Sequence, residues 1–581
     1  MPSGKSNPPV PPGSRAALFV LVALVVLSPW PFGSAHPVTV WLISLACLLT
    51  AGAAALLGIR RRESLEMPRP AAWLCGLFVL GLVQLLPLPQ GLLAFLAPGS
   101  ASVWYPDEEA AAAVLGAGPR PVSIWPEATR RAIAFGLAVT SLAVAAVPAL
   151  RERRHLVRSA AVVVASGVAV AAYGLVARLV FGDRLYGMLA VPTITPFGPF
   201  VSKNHFAGYV EMAALLSVGL AVGLADEARR AAGPLGWIGG RHASRVVLAA
   251  GAAATMALGV LVSLSRGGAV SLGAGVLAFV WLRWWSAGRT SDRAIGRIVI
   301  PVAVVAAGIG VLLAIPPEAR ERLRSIGDGV RDSSTAFRGI VWADSLRLFA
   351  TSPAVGHGLG TFADALPRLK RGAGDVVVEH AESDYLELAA EGGLAGVGLV
   401  LAAGTLFLLG AHASVEGASR LRRGLSHGAT GAAVALGVHS VVDFNLRIPS
   451  NALLFSFVAA AALASRPPVR SPRRATVLAA LGVAGILVLP SSPRRQSLEG
   501  LGAIDGLRSR SSATPLRARD TRAHVERYLR QRPADAEAWV WLSWSHLLLG
   551  HSDEARALAR YGARLDPQRR GLGEAAGRLS R

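Results

Sequence analysis

The chain has 581 residues, of which 52% are hydrophobic and only 16% are charged. Soluble domains average about 25% charged residues, so this composition excludes an ordinary soluble enzyme. The formal net charge of +23 comes from short basic clusters between apolar runs, a pattern of membrane topology rather than of nucleic-acid binding. The two cysteines, Cys47 and Cys75, lie in apolar runs and support neither a disulfide framework nor a thiolate metal site.

Apolar runs of about 20 residues, each long enough to cross a bilayer of roughly 30 Å, recur along the chain. Residues 1–14 are polar and rich in proline, and we expect a disordered cytoplasmic N-terminus there. The sequence predicts an all-α fold, a polytopic membrane helix bundle of about 12–13 transmembrane helices. The predicted spans are 15–33, 38–59, 71–97, 131–150, 157–181, 204–225, 244–264, 268–287, 297–316, 392–411, 428–443, 449–465 and 475–491.

Arginine clusters follow every second predicted span and orient the chain. The clusters are Arg60, Arg61 and Arg62; Arg151, Arg153, Arg154 and Arg158; Arg229, Arg230, Arg241 and Arg245; Arg283, Arg289, Arg293 and Arg297; Arg420, Arg422 and Arg423; and Arg466, Arg470, Arg473 and Arg474. Basic loops stay in the cytoplasm, so we expect the large loop 317–391 and the C-terminal tail on the other side. The sequence thus predicts a multi-pass protein of a bacterial inner membrane, with a helical periplasmic loop.

The end of the chain changes character after the last span of the membrane domain, 15–491. A linker at 492–519 is rich in Arg, Ser and Gly, and 520–581 then shows the helical spacing of small residues with a central Gly550 and a terminal Pro567. This tail resembles one tetratricopeptide repeat, an antiparallel helix pair of about 34 residues. A single repeat cannot bury its own face. We therefore expect a neighbouring helix at 520–532, or docking of the tail on the membrane domain or a protein partner.

Two turns carry cations at the predicted outer boundary of the membrane. Arg266 lies in Ser265-Arg-Gly-Gly268, where its guanidinium can fork onto phosphate oxygens or simply snorkel at a helix end. Lys203, followed by Asn204 and His205, offers donors for a phosphate or a sugar, or anchors the span at the interface.

The stretch 380–391 of the large loop is predicted to be a helix on which His380 and Asp384 share a face. A carboxylate one turn from an imidazole fixes its tautomer and suits a general base. The alternative is a solvated acidic face that carries a histidine by chance. The turn Gly356-His-Gly-Leu-Gly360 lacks both the spacing and the βαβ context of a dinucleotide site, so we interpret it as a glycine-rich turn.

His439 and Asp443 are also spaced to share a helical face, near the outer end of a span. Ionisable groups within a span are functional candidates, although structural pairing between helices explains them equally well. No His, Asp or Glu cluster has metal-ligand spacing, so we expect neither a metal nor another cofactor.

Taken in order, these motifs resemble the O-antigen ligase and polymerase superfamily over most of residues 15–466. The matching blocks are Leu85-Leu-Pro-Leu-Pro89, Ser123-Ile-Trp-Pro126, Lys203-Asn-His-Phe-Ala207, Ser265-Arg-Gly-Gly268, Gly356-His-Gly-Leu-Gly-Thr-Phe362, His380-Ala-Glu-Ser-Asp-Tyr-Leu386 with Glu391-Gly-Gly393, and His439 to Asp443. When the chain is aligned on Ser383, Leu386 and Gly393, the histidine position of the ligase signature holds Glu382, and His380 lies two residues earlier.

The resemblance implies a metal-independent, C-type glycosyltransferase. Its donor is a glycan on a polyprenyl diphosphate, and its acceptor is a lipid A core, a protein or another lipid-linked repeat unit. Arg266, Arg338 and Lys203 are then expected to bind the diphosphate. His380 or Glu382 is expected to deprotonate the acceptor hydroxyl, with Asp384 beside them. The supporting residues are Asn204, His205, His439 and Asp443.

Two other classes of function remain open at this point. One is a transporter of a small anion such as bicarbonate, with His439 and Asp443 in its pathway. A transporter site is expected near the midplane between repeats, however, and no inverted repeat is visible. The other is a non-catalytic scaffold of polysaccharide export organised by the tail. Deletion of 492–581 separates the scaffold from the enzyme, because only the scaffold would lose all function.

Overall fold

The computed structural model of the chain describes residues 10–61, 67–190, 195–233, 243–286, 333–415, 418–464, 484–490 and 515–580. Within them the chain is helical apart from short connections and a two-stranded antiparallel hairpin, which pairs Arg184–Leu185 with Leu189–Ala190. The predicted all-α class is therefore confirmed. The predicted disorder at 1–9, the span 297–316 and most of the span 475–491 and of the linker 492–519 lie outside the described residues.

Seven of the described helices are long and apolar enough to cross a membrane, as expected of a multi-pass protein. They are Pro37–Arg60, Pro126–Leu150, Arg153–Phe181, Lys203–Ala232, Ala243–Val262, Arg266–Ser286 and Asp384–Ser414. Three shorter apolar helices are Pro12–Leu27, Arg69–Gln84 and Pro449–Leu463. The predicted span 428–443 corresponds to helix Arg420–His439, which is not among these candidates and ends four residues earlier.

Two proline positions correct the predicted boundaries. Helix Pro12–Leu27 begins inside the segment predicted to be disordered, and helix Pro515–Leu529 begins inside the predicted linker. Proline suits the first turn of a helix because its missing N–H is one that no helical carbonyl would accept. A proline-rich composition therefore concealed two helix starts.

The chain divides into two compact units. The first contains Met1–Trp73, Phe135–Gly329 and Ala402–Leu487, and the second contains Leu74–Ala134, Val330–Leu401 and Val488–Arg581. The first unit is an apolar helix bundle with one large buried cluster. Its helices Lys203–Ala232 and Arg420–His439 approach closely because glycines face each other: a Cβ on Gly219 would meet the Gly424 carbonyl oxygen at 2.5 Å.

The second unit holds the loop around the candidate base and the C-terminal tail. Its other helices are Gln90–Leu96, Pro98–Trp104, Glu109–Leu115, Ser333–Thr351, Phe362–Ala365, Pro515–Leu529, Ala536–Leu548, Ser552–Leu565 and Arg570–Ser580. In the tail, buried Trp539 packs edge-to-face on Tyr561 with ring centroids 4.9 Å apart. The tail is thus helical as expected, and its assignment as a tetratricopeptide repeat stays a prediction.

Candidate functional site

Lys203 and Arg266 are the first residues of two helices of the first unit, Lys203–Ala232 and Arg266–Ser286. The Ser265 hydroxyl donates a hydrogen bond of 2.9 Å to the Asn204 side-chain oxygen. Ser265 Oγ also accepts from the Gly268 N–H at 3.1 Å, as an N-cap does. The bond between Asn204 and Ser265 joins the two helix starts. The structure therefore brings Lys203, Asn204 and Arg266 to neighbouring helix N-termini.

Both cations have the wrong sign for their position. A helix N-terminus carries a partial positive charge, and a cation placed there costs about 0.3–1 kcal/mol. An anion bound at the same place would be stabilised both by the side chains and by the N–H groups of the first helical turn. The arrangement is therefore suited to an oxyanion such as phosphate.

Two histidine–carboxylate contacts correct the expected pairing of His439 with Asp443. Helix Arg420–His439 ends at His439, so the predicted helical face shared with Asp443 is wrong. His439 Nδ1 instead lies 3.1 Å from Glu211 Oε1, and both side chains are fully buried. Asp443 Oδ1 lies 3.3 Å from His205 Nε2.

Sequence analysis missed Glu211. The signal was present in the sequence, because Glu211 is a single acid within an otherwise apolar run, the kind of residue that marks a functional or paired position. His439 also borders the Arg266 turn: a Cβ on Gly267 would lie 3.0 Å from His439 Nε2. A larger residue than glycine at 267 would therefore contact His439 closely and disturb its contact with Glu211.

In the second unit, the candidate residues Arg338 and Glu382 form an ion pair. Arg338 Nε lies 3.5 Å from Glu382 Oε2, and each side chain is about one quarter exposed. The Trp342 indole N–H, one turn after Arg338, donates to the Glu382 carbonyl oxygen at 3.3 Å. Glu382 adopts a left-handed backbone conformation with φ of 54°, which costs a non-glycine residue about 1–3 kcal/mol and is typical of functional sites.

His380 lies before the helix on which it was predicted. Helix Asp384–Ser414 begins four residues later, so His380 and Asp384 do not share a helical face. His380 Nδ1 lies 3.0 Å and 3.2 Å from the two oxygens of the Glu387 carboxylate. The same carboxylate accepts the Ala381 N–H at 3.0 Å. Glu387 therefore takes the part that the sequence assigned to Asp384.

The glycine-rich turn fills a break in helix Asp384–Ser414. Gly393 has non-helical φ and ψ angles of 61° and −164°, which leaves helical carbonyl groups in need of donors. The Gly358 N–H donates to the Glu391 carbonyl oxygen at 3.0 Å. The buried Gln84 side chain donates to the Val355 and Glu391 carbonyl oxygens at 2.7 and 2.8 Å. Gln84 was not among the residues singled out in the sequence, although it is a polar residue inside the predicted span 71–97.

His357 of this turn is a structural group rather than a base. Its Nδ1–H donates to the Ala390 carbonyl oxygen at 3.0 Å, and its Nε2 lies 3.0 Å from the Thr351 hydroxyl. Burial, with the nearby Arg368 charge, lowers the pKa of His357 to about 3, although the Ala390 carbonyl opposes the shift. The imidazole is therefore neutral at physiological pH.

Residues 251–401 match the family model described as O-antigen ligase. This match supports the resemblance to the O-antigen ligase superfamily. A search of curated proteins finds no match. A domain of this family supports a glycosyltransferase-like role in polysaccharide assembly within a membrane.

The matched range includes half of the ten candidate residues. Arg266, Arg338, His380, Glu382 and Asp384 lie inside the matched range. The candidates outside it are Lys203, Asn204, His205, His439 and Asp443. No group of three or more His, Cys, Asp or Glu side chains suited to a metal ion occurs in the part of the chain that the structure describes.

Proposed function

We propose that the chain is a C-type glycosyltransferase that moves a glycan from a polyprenyl diphosphate to an acceptor hydroxyl at the periplasmic face of the inner membrane. The acceptor is a lipid A core, a protein or another lipid-linked unit, as in O-antigen ligases and polymerases. Attack by the acceptor oxygen on the anomeric carbon inverts that centre, and the polyprenyl diphosphate leaves.

The observation that carries the proposal is the hydrogen bond between Asn204 and Ser265, which joins two helix N-termini that each begin with a cation. Lys203 and Arg266 there supply charge for the diphosphate oxygens, with N–H groups of the first helical turns as further donors. Stabilising the charge that develops on a leaving group is commonly the largest single contribution to catalysis.

Of the two base candidates, His380 is the better one. A carboxylate accepts hydrogen bonds, so the contact with Glu387 places the hydrogen of the neutral imidazole on Nδ1. Nε2 then carries the lone pair that takes the acceptor proton, and Glu387 stabilises the imidazolium that forms. The Glu382 carboxylate faces the Arg338 guanidinium and serves to hold it, which leaves His380 as the base.

Arg338 keeps the phosphate-binding role that the resemblance implies. Among the residues that the structure describes, its ion-pair contact is with Glu382 at 3.5 Å, which leaves most of the five guanidinium N–H donors for another oxyanion. The Glu382 carboxylate then holds the Arg338 side chain in place. The left-handed backbone at Glu382 fixes the direction from which this carboxylate approaches Arg338. Asp384, the first residue of its helix, has the favourable sign for a helix N-terminus and supports this segment.

Glycan transfer in membranes prepared from cells that express Lys203→Ala or Arg266→Ala tests the diphosphate site. Each variant is expected to lose about 100-fold in transfer rate, the usual loss when one stabilising group is removed from a developing anion. Arg230→Ala is the matched control, because Arg230 is exposed near the other end of the Lys203 helix. Wild-type rates in both Lys203→Ala and Arg266→Ala, at equal protein levels, would disprove the assignment.

A further inference from the structure

The C-terminal tail packs on the segment 363–378, which precedes the candidate base. Arg532 Nε donates to the Asp364 carboxylate at 2.6 Å. Lys370 Nζ lies 3.4 Å from Asp566 Oδ1. These contacts belong to one compact unit, so the tail forms a fixed wall beside this segment.

A cavity of about 300 Å³ lies between the tail and this segment. Lys370 and Asp566 line its interior, where their side chains are only 4% and 10% exposed. Glu537 and Arg569 line its rim, 3.1 Å apart and 38% and 41% exposed. This volume is at the lower end of the range for small-molecule pockets, so it accommodates a short saccharide rather than a protein segment with tertiary structure.

The charges on the cavity wall compensate one another. The lining acids are Asp364, Asp535, Glu537 and Asp566, and the lining bases are Lys370, Arg532 and Arg569. Each of these acids lies within 4.0 Å of one of the bases. A phosphate would meet the carboxylates and a cation would meet the bases, so the wall favours an uncharged ligand that offers both donors and acceptors.

One acceptor in the cavity lacks a donor. Asp566 Oδ1 is buried and, although Lys370 is near, accepts no hydrogen bond from any residue that the structure describes. A buried acceptor without a hydrogen bond is unfavourable, because it has lost its bonds to water. A ligand hydroxyl that donates to Asp566 would recover this free energy.

We propose that this cavity is a saccharide subsite, in which the hydroxyl groups of the transferred or accepting glycan bind between the tail and residues 363–378. The tail is then part of substrate binding. This inference rests on the proposed glycosyl transfer and deepens it. A peptide is less suited, because peptides are recognised on sheet edges, in apolar grooves or by arginine clusters that bind acidic motifs, whereas the arginines of this cavity are already paired with lining acids.

The test uses full-length protein in detergent and the oligosaccharide released by mild acid from the surface polysaccharide of the source bacterium. Glu537→Gln and Arg569→Gln change the exposed rim and leave the buried pairs intact. Each is expected to raise the Kd of the oligosaccharide, and the KM of the glycan in transfer, by about 10-fold through a lost charge-assisted hydrogen bond. Arg556→Gln is the control, since it removes an exposed ion pair with Asp553 that does not line the cavity.

The outcomes separate this inference from the proposed function. If the wild-type protein transfers glycan but both rim variants keep the wild-type Kd and KM, the subsite is wrong and the transferase remains. If the wild-type protein transfers no glycan, the proposed function fails. Tighter binding of a mixture of tryptic periplasmic peptides than of the oligosaccharide, with displacement of the oligosaccharide, would also overturn the subsite.

Discussion

Replacing Arg532 with alanine is predicted to destabilise the second unit by about 4 kcal/mol. The Asp364 side chain is only 3% exposed, and its carboxylate accepts the Arg532 Nε–H at 2.6 Å. Removing one partner of a buried ion pair costs about 3–5 kcal/mol, because the remaining charge loses its counterion. The guanidinium also lies 4.0 Å from the centre of the Trp125 ring, a contact worth about 0.5–1 kcal/mol.

Arg532 stays charged under all conditions of this measurement. Burial lowers the pKa of Arg532, but the Asp364 and Asp535 carboxylates outweigh burial and hold that pKa above its usual value. The pair therefore contributes at any pH at which Asp364 is ionised.

The assay is denaturant unfolding of purified protein followed by tryptophan fluorescence. Arg556→Ala, which removes an ion pair with 92%-exposed Asp553, is the control and should change the free energy of unfolding by about 0–1 kcal/mol. The double variant Arg532→Leu/Asp364→Leu should recover part of the loss, because it leaves no uncompensated charge. An Arg532→Ala protein within about 1 kcal/mol of the wild type would refute this reasoning.

Three further predictions concern the glycine-rich turn and the helix break that it fills. Gln84→Leu removes three hydrogen bonds to backbone groups, those of the Val355 and Glu391 carbonyl oxygens and of the Leu359 N–H, and should cost about 3 kcal/mol or more in unfolding free energy. Gly356→Ala should prevent folding, because its Cβ would lie 2.3 Å from the Glu391 carbonyl carbon. The control Gly374→Ala is also at positive φ but in open space, so it should express normally. Equal expression levels of the two variants would contradict this packing. Because the pKa of His357 is lowered from 6.5 to about 3, the unfolded chain binds a proton below pH 6.5 that the folded chain does not. As the pH falls from 6.5 to 3, the free energy of unfolding should therefore decrease by up to about 1.4 kcal/mol per pH unit. His357→Asn should remove this slope in pH-dependent unfolding measurements.

The membrane helices were predictable because bilayer crossing imposes length and apolarity on local sequence. Helix Lys203–Ala232 begins one residue before the predicted start at 204, and Arg266 and Lys203 were identified as boundary cations from sequence alone. The helix starts at Pro12 and Pro515 were not predicted, because composition masked a favourable first-turn proline.

The partners of the candidate residues were not predictable, because a shift of four residues in a helix end changes which side chains meet. The sequence allowed a helix from 380, but it begins at Asp384, so His380 reaches Glu387 instead. The pairing of Glu211 with His439 joins residues 228 positions apart. Local periodicity contains no information about such contacts, whereas the isolated polar residues themselves were visible in the sequence.

The sequence predicted that the tail must pack on another segment, but it did not identify that segment. A single helix pair must cover its apolar face, which predicted a partner without identifying it. The structure supplies helix Glu109–Leu115, where buried Val114 and Leu115 pack with Leu529 of the tail. The surface therefore arises from two segments more than 400 residues apart, whose combination no local pattern encodes.

The most direct test of the account is in vitro transfer by the purified protein from a polyprenyl-diphosphate-linked glycan. Release of polyprenyl diphosphate should require the acceptor and should equal the amount of glycan transferred. His380→Gln should reduce this coupled release by at least about 100-fold, whereas Glu382→Gln should retain more activity than His380→Gln. Acceptor-independent release, or full activity of His380→Gln, would contradict the proposed reaction and its base.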